Sequence, residues 1–258
     1  MTLACTRAGD GGTPIVFVHG FACDRSDWRA QMEHFAPRRE VIACDLPGHG
    51  ATPGRPAECT IERFGKAVAA LVGSLAAPAL VVGHSLGCRV ALEANRIAPA
   101  RIAGLVLIDG SRMGSGDPAQ AGKAMRAAID FVGFAAFAEP FFAQMLTRQT
   151  PTSARIVERA KRLPAGIGSA LFPAMVRWDA QRLDAALAGV RVPLIVIQST
   201  TVNAERKRVS LNAGETTPWL GLIRSFVPSA RIEVVPGIGH FTQIEAADRV
   251  NELIASLG

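Results

Sequence analysis

Continuous apolar runs alternate with amphipathic stretches along the chain, and this alternation predicts its secondary structure. Four short runs that are apolar throughout predict buried strands in the first half of the chain, at residues 14–18, 41–44, 79–82 and 102–108. Patterns with helical spacing lie between them, at residues 28–35, 60–75 and 88–97. The alternation resumes later, with strands at 192–197 and 231–235 and a closing helix at 246–257. Such runs are typical of a mostly parallel sheet with helices on both faces.

Residues 112–189 interrupt this alternation. They contain no strand-like run, and their pattern predicts five helices, at 119–132, 134–147, 153–163, 166–178 and 180–187. We therefore expect an α/β core formed by residues 1–111 and 190–258, with a helical cap, 112–189, inserted after the strand that ends before Asp109. The cap is rich in aromatic side chains. Most of them are expected to pack the cap onto the core, and the candidates for lining a pocket are Phe134, Phe141 and Trp178, with His19 from the core.

Composition and charge narrow the class of protein. The chain has 258 residues, of which 49% are hydrophobic and 19% charged, and this balance supports a sizeable core and excludes disorder. The formal charge is +6, but it comes from scattered arginines without a block of five like charges. We therefore expect no nucleic-acid interface, although a mild attraction for anionic substrates is compatible with this charge.

The cysteines and the N-terminus indicate a cytoplasmic location. The chain has an odd number of cysteines and no Cys-x-x-Cys pair, which favours buried or free thiols in a reducing compartment: Cys5, Cys23, Cys44, Cys59 and Cys88. Residues 1–12 lack the basic stretch followed by an apolar run that a signal peptide needs. The apolar stretch 131–138 is too short to span a bilayer, so we expect no membrane partner.

One stretch combines a strand, a sharp turn and a helix with a serine at the apex. The apolar run 79–82 leads into Gly-His-Ser-Leu-Gly at residues 83–87, and a helical pattern follows at once. Glycines two residues before and after Ser85 let the strand and helix cross closely, because they carry no Cβ. The backbone N–H of Leu86 then points to where an oxyanion forms. A chance glycine-rich turn would also match the five residues, but not the strand and helix around them.

A serine hydroxyl needs a neighbouring base, which in turn needs an orienting group. Of the five histidines, His240 fits the base, because it lies in a glycine-rich loop after the last predicted strand. His84 is expected to flank the serine, and His34 to lie on a helix surface. A tight turn after the first strand aims the N–H of Phe21 at the oxyanion position that the Leu86 N–H also faces. Deleting one such donor raises the activation free energy by about 3 kcal/mol.

Four motifs in order resemble the α/β-hydrolase family with a helical cap. They are Val-His-Gly-Phe at 18–21, Asp-Leu-Pro-Gly-His-Gly at 45–50, Gly-His-Ser-Leu-Gly at 83–87 and Gly-Ile-Gly-His-Phe at 237–241. The resemblance implies Ser85 as nucleophile, His240 as base and the amides of Phe21 and Leu86 as oxyanion hole. Dehalogenases and epoxide hydrolases of the family use an aspartate where Ser85 stands, and the epoxide hydrolases also use lid tyrosines, which this chain lacks.

The orienting acid departs from the usual pattern of the family. Most relatives carry an aspartate after the strand before the last, where this chain has Val202 and Asn203 instead. Some relatives place the acid after the strand that follows the elbow helix, and Asp109 stands there. We rank Asp109 first, Glu205 second and Asn203 third, because a carboxylate also stabilises the imidazolium whereas an amide fixes only its geometry. A turn cap is the structural alternative for Asp109.

The polar segment 203–219 is longer than this loop usually is. It is expected to be a solvated surface loop. The alternative is that it covers the site from one side, where Arg206, Lys207 or Arg208 meets an anionic group.

Together these features predict a serine hydrolase that cleaves a carboxylic ester, lactone or thioester through an acyl-enzyme. The expected partner is a small-molecule substrate with an apolar acyl part, and neither a cofactor nor a metal is expected, since the histidines and cysteines are scattered. Two alternatives stay open. One is hydrolysis of a carbon–carbon bond in a ring-cleavage dienoate, which favours a basic residue placed for a carboxylate. The other is a slow-turnover ligand receptor on the same fold.

Overall fold

The computed structural model describes residues 2–146, 150–205 and 207–257. The strands are β1 (Cys5–Ala8), β2 (Ile15–Val18), β3 (Val41–Cys44), β4 (Ala79–His84), β5 (Ile102–Ile108), β6 (Leu194–Gln198), β7 (Thr200–Val202), β8 (Arg208–Ser210) and β9 (Arg231–Val234). The helices are α1 (Arg29–Phe35), α2 (Ile61–Gly73), α3 (Leu86–Ile97), α4 (Pro118–Val132), α5 (Phe134–Ala143), α6 (Pro151–Arg162), α7 (Ala165–Ala188), α8 (Pro218–Phe226), α9 (Thr242–Glu245) and α10 (Ala247–Ala255). Short 3₁₀ turns occupy Arg25–Trp28, Pro56–Glu58 and Pro99–Arg101.

A seven-stranded sheet runs in the order β1-β3-β2-β4-β5-β6-β9. Only β1 is antiparallel to its neighbour, and the other pairings are parallel. Every residue of β2, β3 and β4 is buried, because helices cover both faces. This confirms the predicted α/β class. The edge strand β1 was not predicted, because its four residues are partly exposed and carry no apolar run.

The register aligns the carboxyl ends of the central strands. Val18 at the end of β2 pairs with Cys44 of β3 and Gly83 of β4, and His84 pairs with Ile108 of β5. Side chains that follow these ends therefore share one edge of the sheet, where parallel sheets bind ligands.

Among the described residues between β5 and β6 there are four helices, α4 to α7. The two helices predicted at 166–178 and 180–187 are a single helix, α7, and this correction has a physical reason. Asp179 predicted a polar break, but its carboxylate is buried and paired with Arg89, so the helix continues through it. The helix predicted at 134–147 ends at Ala143.

The segment 203–219 is only partly the solvated loop that was expected. Its residues 208–210 form β8, which pairs antiparallel with β7 so that Arg208 lies opposite Val202. The Lys207 side chain is exposed, Arg208 is partly buried, and Arg206 lies outside the described residues. The Arg208 side chain reaches back along the hairpin and donates to the hydroxyl of Thr200 at 2.8 Å.

No helix in the described part of the chain is long and apolar enough to cross a membrane. The five cysteines are all free thiols, and four of them are buried.

Candidate active site

The turn between β4 and α3 presents Ser85. The residue has φ 54° and ψ −111°, a strained conformation outside the regions that L-residues prefer. Its backbone N–H donates to the carbonyl of Ile108 at 2.8 Å, which fastens the turn to β5. Ser85 is partly exposed although the residues on both sides of it are buried. The hydroxyl is thus held at the edge of the sheet where a substrate can reach it.

Two glycines make this turn possible. A Cβ on Gly83 would come within 2.3 Å of the carbonyl oxygen of Gly87. A Cβ on Gly87 would come equally close, 2.3 Å, to the carbonyl oxygen of Val18. Both contacts are to backbone, which cannot yield as a side chain can. The close crossing inferred from the sequence is therefore present, and it requires glycine at both positions.

The backbone amides of Phe21 and Leu86 are free to bind an anion. Neither donates a hydrogen bond to any described residue. The Leu86 amide opens α3, so it also carries the partial positive charge of a helix N-terminus. The Phe21 ring is buried against three rings from the segment between β5 and β6, and these contacts fix the turn that carries its amide: Phe134, Phe142 and Phe172.

Two buried histidines brace the turn that carries Phe21. Nε2 of His19 accepts from the Leu46 amide at 2.9 Å, and its Nδ1 donates to the Gly20 carbonyl at 2.7 Å. Nε2 of His49 accepts from the Ala22 amide at 3.3 Å. Each ring is therefore a neutral tautomer locked between backbone groups. His19 supports the loop, and the matching role of His49 was missed because a motif histidine does not reveal its partners.

The loop after β9 brings His240 to the same edge of the sheet. Its backbone N–H donates to the Met145 carbonyl at 2.8 Å, and its own carbonyl accepts from Nε2 of His84 at 2.8 Å. Nε2 of His240 is buried and has no hydrogen-bond partner among the described residues. Burial lowers the pKa of His240 well below its ordinary value, and the charge of Arg208 lowers it further, so the ring is neutral.

Asp109 follows β5 with φ 48° and lies buried beside this histidine. Its Oδ1 accepts from the amides of Ser199 and Thr200, each at 3.0 Å. Its Oδ2 accepts from the hydroxyls of Ser199 and Thr242. Burial raises the pKa of Asp109, and the hydrogen bonds from Ser199 and Thr242 oppose that rise. The four donors to this carboxylate are more than a turn cap needs.

The contacts of His240 Nδ1 differ from those expected for a general base. Asp109 Oδ2 is 3.9 Å away, which is too long for a hydrogen bond. Nη1 of Arg208 is closer, at 3.2 Å, and the Thr200 hydroxyl lies at 3.5 Å. The other two candidates make no hydrogen bond to this ring in the described residues: Asn203 accepts from the Lys207 amide in the β7–β8 turn, and Glu205 is exposed there.

Ser85, His240 and Phe21 line one cavity. Its opposite wall comes from α5, α7 and the residues after α5: Phe141, Phe142, Met145, Phe172 and Met175. Of the four predicted pocket residues, Phe141 lines the cavity. The other three are not among the described residues that line it: His19, Phe134 and Trp178. Trp178 is buried instead with its Nε1 donating to Glu93, because an apolar pattern does not separate a pocket wall from a core.

The α/β-hydrolase family model matches residues 15–253, almost the whole chain. The chain belongs to the α/β-hydrolase family. A relative from Pseudomonas putida, the dihydrolipoyllysine-residue acetyltransferase component of an acetoin cleaving system, is 31% identical over 95% of this chain. The chain spans only 63% of that relative's length.

Two further comparisons cover nearly complete chains. A pimeloyl-[acyl-carrier protein] methyl ester esterase from Methylococcus capsulatus is 28% identical over 95% of this chain and 96% of its own. The crystal structure of a hydrolase from Pseudomonas aeruginosa superposes with a TM-score of 0.79 and 24% identity, covering 99% of this chain and 93% of that one. These matches confirm the suspected family and fold.

A buried ion pair ties the elbow helix of this α/β-hydrolase to α7. Nε and Nη2 of Arg89 donate to the two carboxylate oxygens of Asp179 at 2.8 and 2.7 Å, and Nη2 also donates to the Ser111 carbonyl. Both side chains are almost fully buried. Sequence reasoning missed the pair, because 90 residues separate its partners.

Removing Asp179 is expected to be strongly destabilising. Asp179→Ala would leave the Arg89 guanidinium buried without a counter-charge, which costs about 3–5 kcal/mol of unfolding free energy. Asp184→Ala is the matched control on the same helix, since its half-exposed carboxylate pairs with Arg112 at the surface. That change should cost less than about 1 kcal/mol. Urea unfolding of both variants measures the difference, and equal losses would contradict the assigned role of the buried pair.

The buried histidines are expected to make stability fall in mild acid. Burial lowers the pKa of both His49 and His84 to about 4, whereas an unfolded histidine protonates near pH 6.5. Below about pH 6.5 the unfolded state therefore binds more protons, and each such histidine removes up to about 1.4 kcal/mol per pH unit. Unfolding free energies at pH 7.5, 6 and 5 measure the slope. His49→Gln should reduce the slope by the share of one histidine, and the exposed His34→Gln should leave it unchanged. A slope that is the same in His49→Gln as in the unmodified protein would count against this account.

Proposed function

We propose that the protein hydrolyses a carboxylic ester through an acyl-enzyme, with Ser85 as nucleophile. The observation that carries this proposal is the strained, partly exposed Ser85, which shares a cavity with the unpartnered Nε2 of His240. Two free amides, of Phe21 and Leu86, lie at the same strand ends. A nucleophile, a base and two oxyanion donors are the groups that acyl transfer needs.

In the proposed reaction, Ser85 Oγ attacks the ester carbonyl carbon while His240 Nε2 takes its proton. The amides of Phe21 and Leu86 stabilise the oxyanion, and preorganised donors in a dry site lower the barrier without reorganising. The C–O bond to the alcohol then breaks, and His240 returns the proton to the leaving oxygen. Water attacks the acyl-enzyme with His240 again as base, which releases the acid and restores Ser85.

Asp109 is proposed as the group that orients His240. It is the buried carboxylate beside the ring, whereas Asn203 and Glu205 belong to the hairpin turn. Its 3.9 Å separation from Nδ1 requires a small rotation of the imidazole before Nδ1–H can donate to it. The hydroxyl of Ser199 has a second acceptor, the Gly239 carbonyl at 2.7 Å, so Oδ2 can be freed for that bond.

We propose a small-molecule substrate with an apolar part, bound under a cap made of residues 112–189. Support comes from the phenylalanine and methionine side chains that face Ser85 across the cavity. The Methylococcus capsulatus relative is a methyl ester esterase, which agrees with ester chemistry at this site.

An acyl-enzyme experiment tests this function directly. Rapid mixing with 4-nitrophenyl butyrate should release one equivalent of nitrophenol per active site before the steady rate, if deacylation is the slower step. Acid quenching followed by peptide mass spectrometry should place the butyryl group on Ser85. Acylation at another residue, or turnover without any modification of Ser85, would refute the proposal.

A second candidate function is hydrolysis of a carbon–carbon bond in a dienoate. Arg208 in the cavity favours it, because that reaction calls for a basic residue placed for a carboxylate. Turnover of such a dienoate beside simple esters of similar size separates the two reactions. Fast multiple turnover on either substrate class removes the receptor alternative.

A further inference from the structure

Arg208 is a cation in the catalytic cavity without a carboxylate partner. No carboxylate oxygen of the described residues lies within 4.0 Å of its nitrogens, in contrast to Arg89, which is paired with Asp179 in the same cavity wall. Its Nη1 donates to the Thr200 hydroxyl at 2.8 Å and meets His240 Nδ1 at 3.2 Å. Its Nε and Nη2 donate to no described residue.

Hydrogen bonds from both strands of the hairpin hold the backbone that carries Arg208. The amide of Thr200 in β7 donates to Asp109, and the amide of Arg208 in β8 donates to Oε1 of Gln144 at 3.2 Å. The pairing of Arg208 with Val202 fixes the register between these anchors. Burial lowers the pKa of Arg208 and Asp109 opposes that effect, which is the behaviour of a charge withdrawn from water without a full partner.

This contact sets the tautomer of His240. A guanidinium only donates, so Nδ1 must accept from Arg208 and the ring proton lies on Nε2. A general base needs the opposite arrangement, with a lone pair on Nε2 and a proton on Nδ1 that donates to Asp109. In the structure the histidine is therefore held in the tautomer that cannot accept the proton of Ser85.

We propose that Arg208 is the receptor for a carboxylate of the substrate, and that binding this carboxylate releases His240 for catalysis. The inference rests on the proposed ester hydrolysis and names its substrate class: monoesters of short dicarboxylic acids. The substrate carboxylate accepts the guanidinium donors, and Arg208 leaves Nδ1. His240 then gives its Nε2 proton to water and takes one from water at Nδ1, so its net charge is unchanged and Nε2 can accept from Ser85.

Matched ester pairs test the substrate class. Monomethyl succinate, glutarate and adipate are compared with methyl butyrate, pentanoate and hexanoate by acid release in a pH-stat. A charge-assisted bond to a guanidinium predicts a preference for the carboxylated esters of about 10- to 100-fold in kcat/KM. Both kcat and KM should improve, because the carboxylate binds and also frees the base. Equal rates on the two series would overturn the proposal.

Variants at two neighbouring positions separate this role from a structural one. Arg208→Met keeps the length of the side chain but removes every donor, and should abolish the preference while raising kcat on the neutral esters. Arg208→Lys keeps a charge and should retain part of the preference. Lys207→Met is the matched control, since this exposed side chain should change neither series. If Arg208→Met slowed both series equally, Arg208 would be merely structural.

The tautomer of His240 is measured in the unmodified protein, so this experiment does not require any variant to fold. Nitrogen-15 spectra of His240 should show the proton on Nε2 in the free protein and on Nδ1 at saturating glutarate. A proton on Nδ1 without glutarate, or no change with it, would overturn the gating step. Failure of the ester chemistry itself is distinguishable: Ser85→Ala would then still hydrolyse the neutral esters, whereas failure of the Arg208 role leaves turnover dependent on Ser85.

Discussion

Ser85→Ala is expected to lower kcat/KM for a reactive ester by about 10⁴- to 10⁶-fold. The expected loss is large because, in the proposed reaction, this hydroxyl forms the covalent intermediate. The residual rate should stay above that in water, since the amides of Phe21 and Leu86 remain and act as oxyanion donors on their own. Steady-state kinetics with 4-nitrophenyl butyrate measure the change.

Folding of this variant should be intact, because the Ser85 turn is fixed by backbone bonds and by Gly83 and Gly87 rather than by the hydroxyl. Ser225→Ala is the matched control. That serine lies exposed on α8, where its hydroxyl donates to the Leu222 carbonyl, and its loss should leave turnover unchanged. Ester hydrolysis that survives in folded Ser85→Ala would exclude the acyl-enzyme at this residue.

Asp109→Asn is expected to lower kcat by about 10³- to 10⁴-fold with little effect on KM. The amide oxygen can still accept from the amides of Ser199 and Thr200, so the turn is preserved. The amide nitrogen, however, cannot accept Nδ1–H of His240 or stabilise the imidazolium. Kinetics on a neutral ester, together with urea unfolding, separate this loss from instability.

Two variants in the hairpin turn serve as controls for this effect. Asn203→Ala and Glu205→Gln should retain full activity, because neither side chain lies beside His240. If Asp109→Asn stayed active while Glu205→Gln lost activity, the orienting acid would belong to the hairpin. Loss in none of the three would mean that His240 works without a carboxylate.

The sequence was sufficient to predict the parts of the fold that depend only on residues close together in the chain. The buried strands, the helix α2 and the elbow at Ser85 all depend on residues within a few positions of one another. The predicted helix begins at Thr60, whose side chain accepts from the Arg63 amide and caps α2. Local chemistry of this kind is visible in a single sequence.

The sequence alone could not predict features that depend on partners distant in the chain. The pattern around Asp179 predicted a break, because nothing nearby shows that Arg89 neutralises it. The polar segment containing Arg208 read as solvated, although strand pairing turns that side chain inwards. In the site, the order of Ser85 and His240 was predictable from motifs. The contact of His240 with the Arg208 guanidinium was not, because the two residues are 32 positions apart in the sequence.

The bond from the His240 amide to the Met145 carbonyl has a consequence for protein engineering. Since only the backbone of Met145 takes part, the identity of this residue can vary freely as far as the bond is concerned. The position of this residue cannot vary, because its carbonyl must meet the loop that carries His240. Chimeras that graft a foreign segment between β5 and β6 should therefore tolerate changed side chains at this junction, yet respond sharply to a single inserted or deleted residue before it.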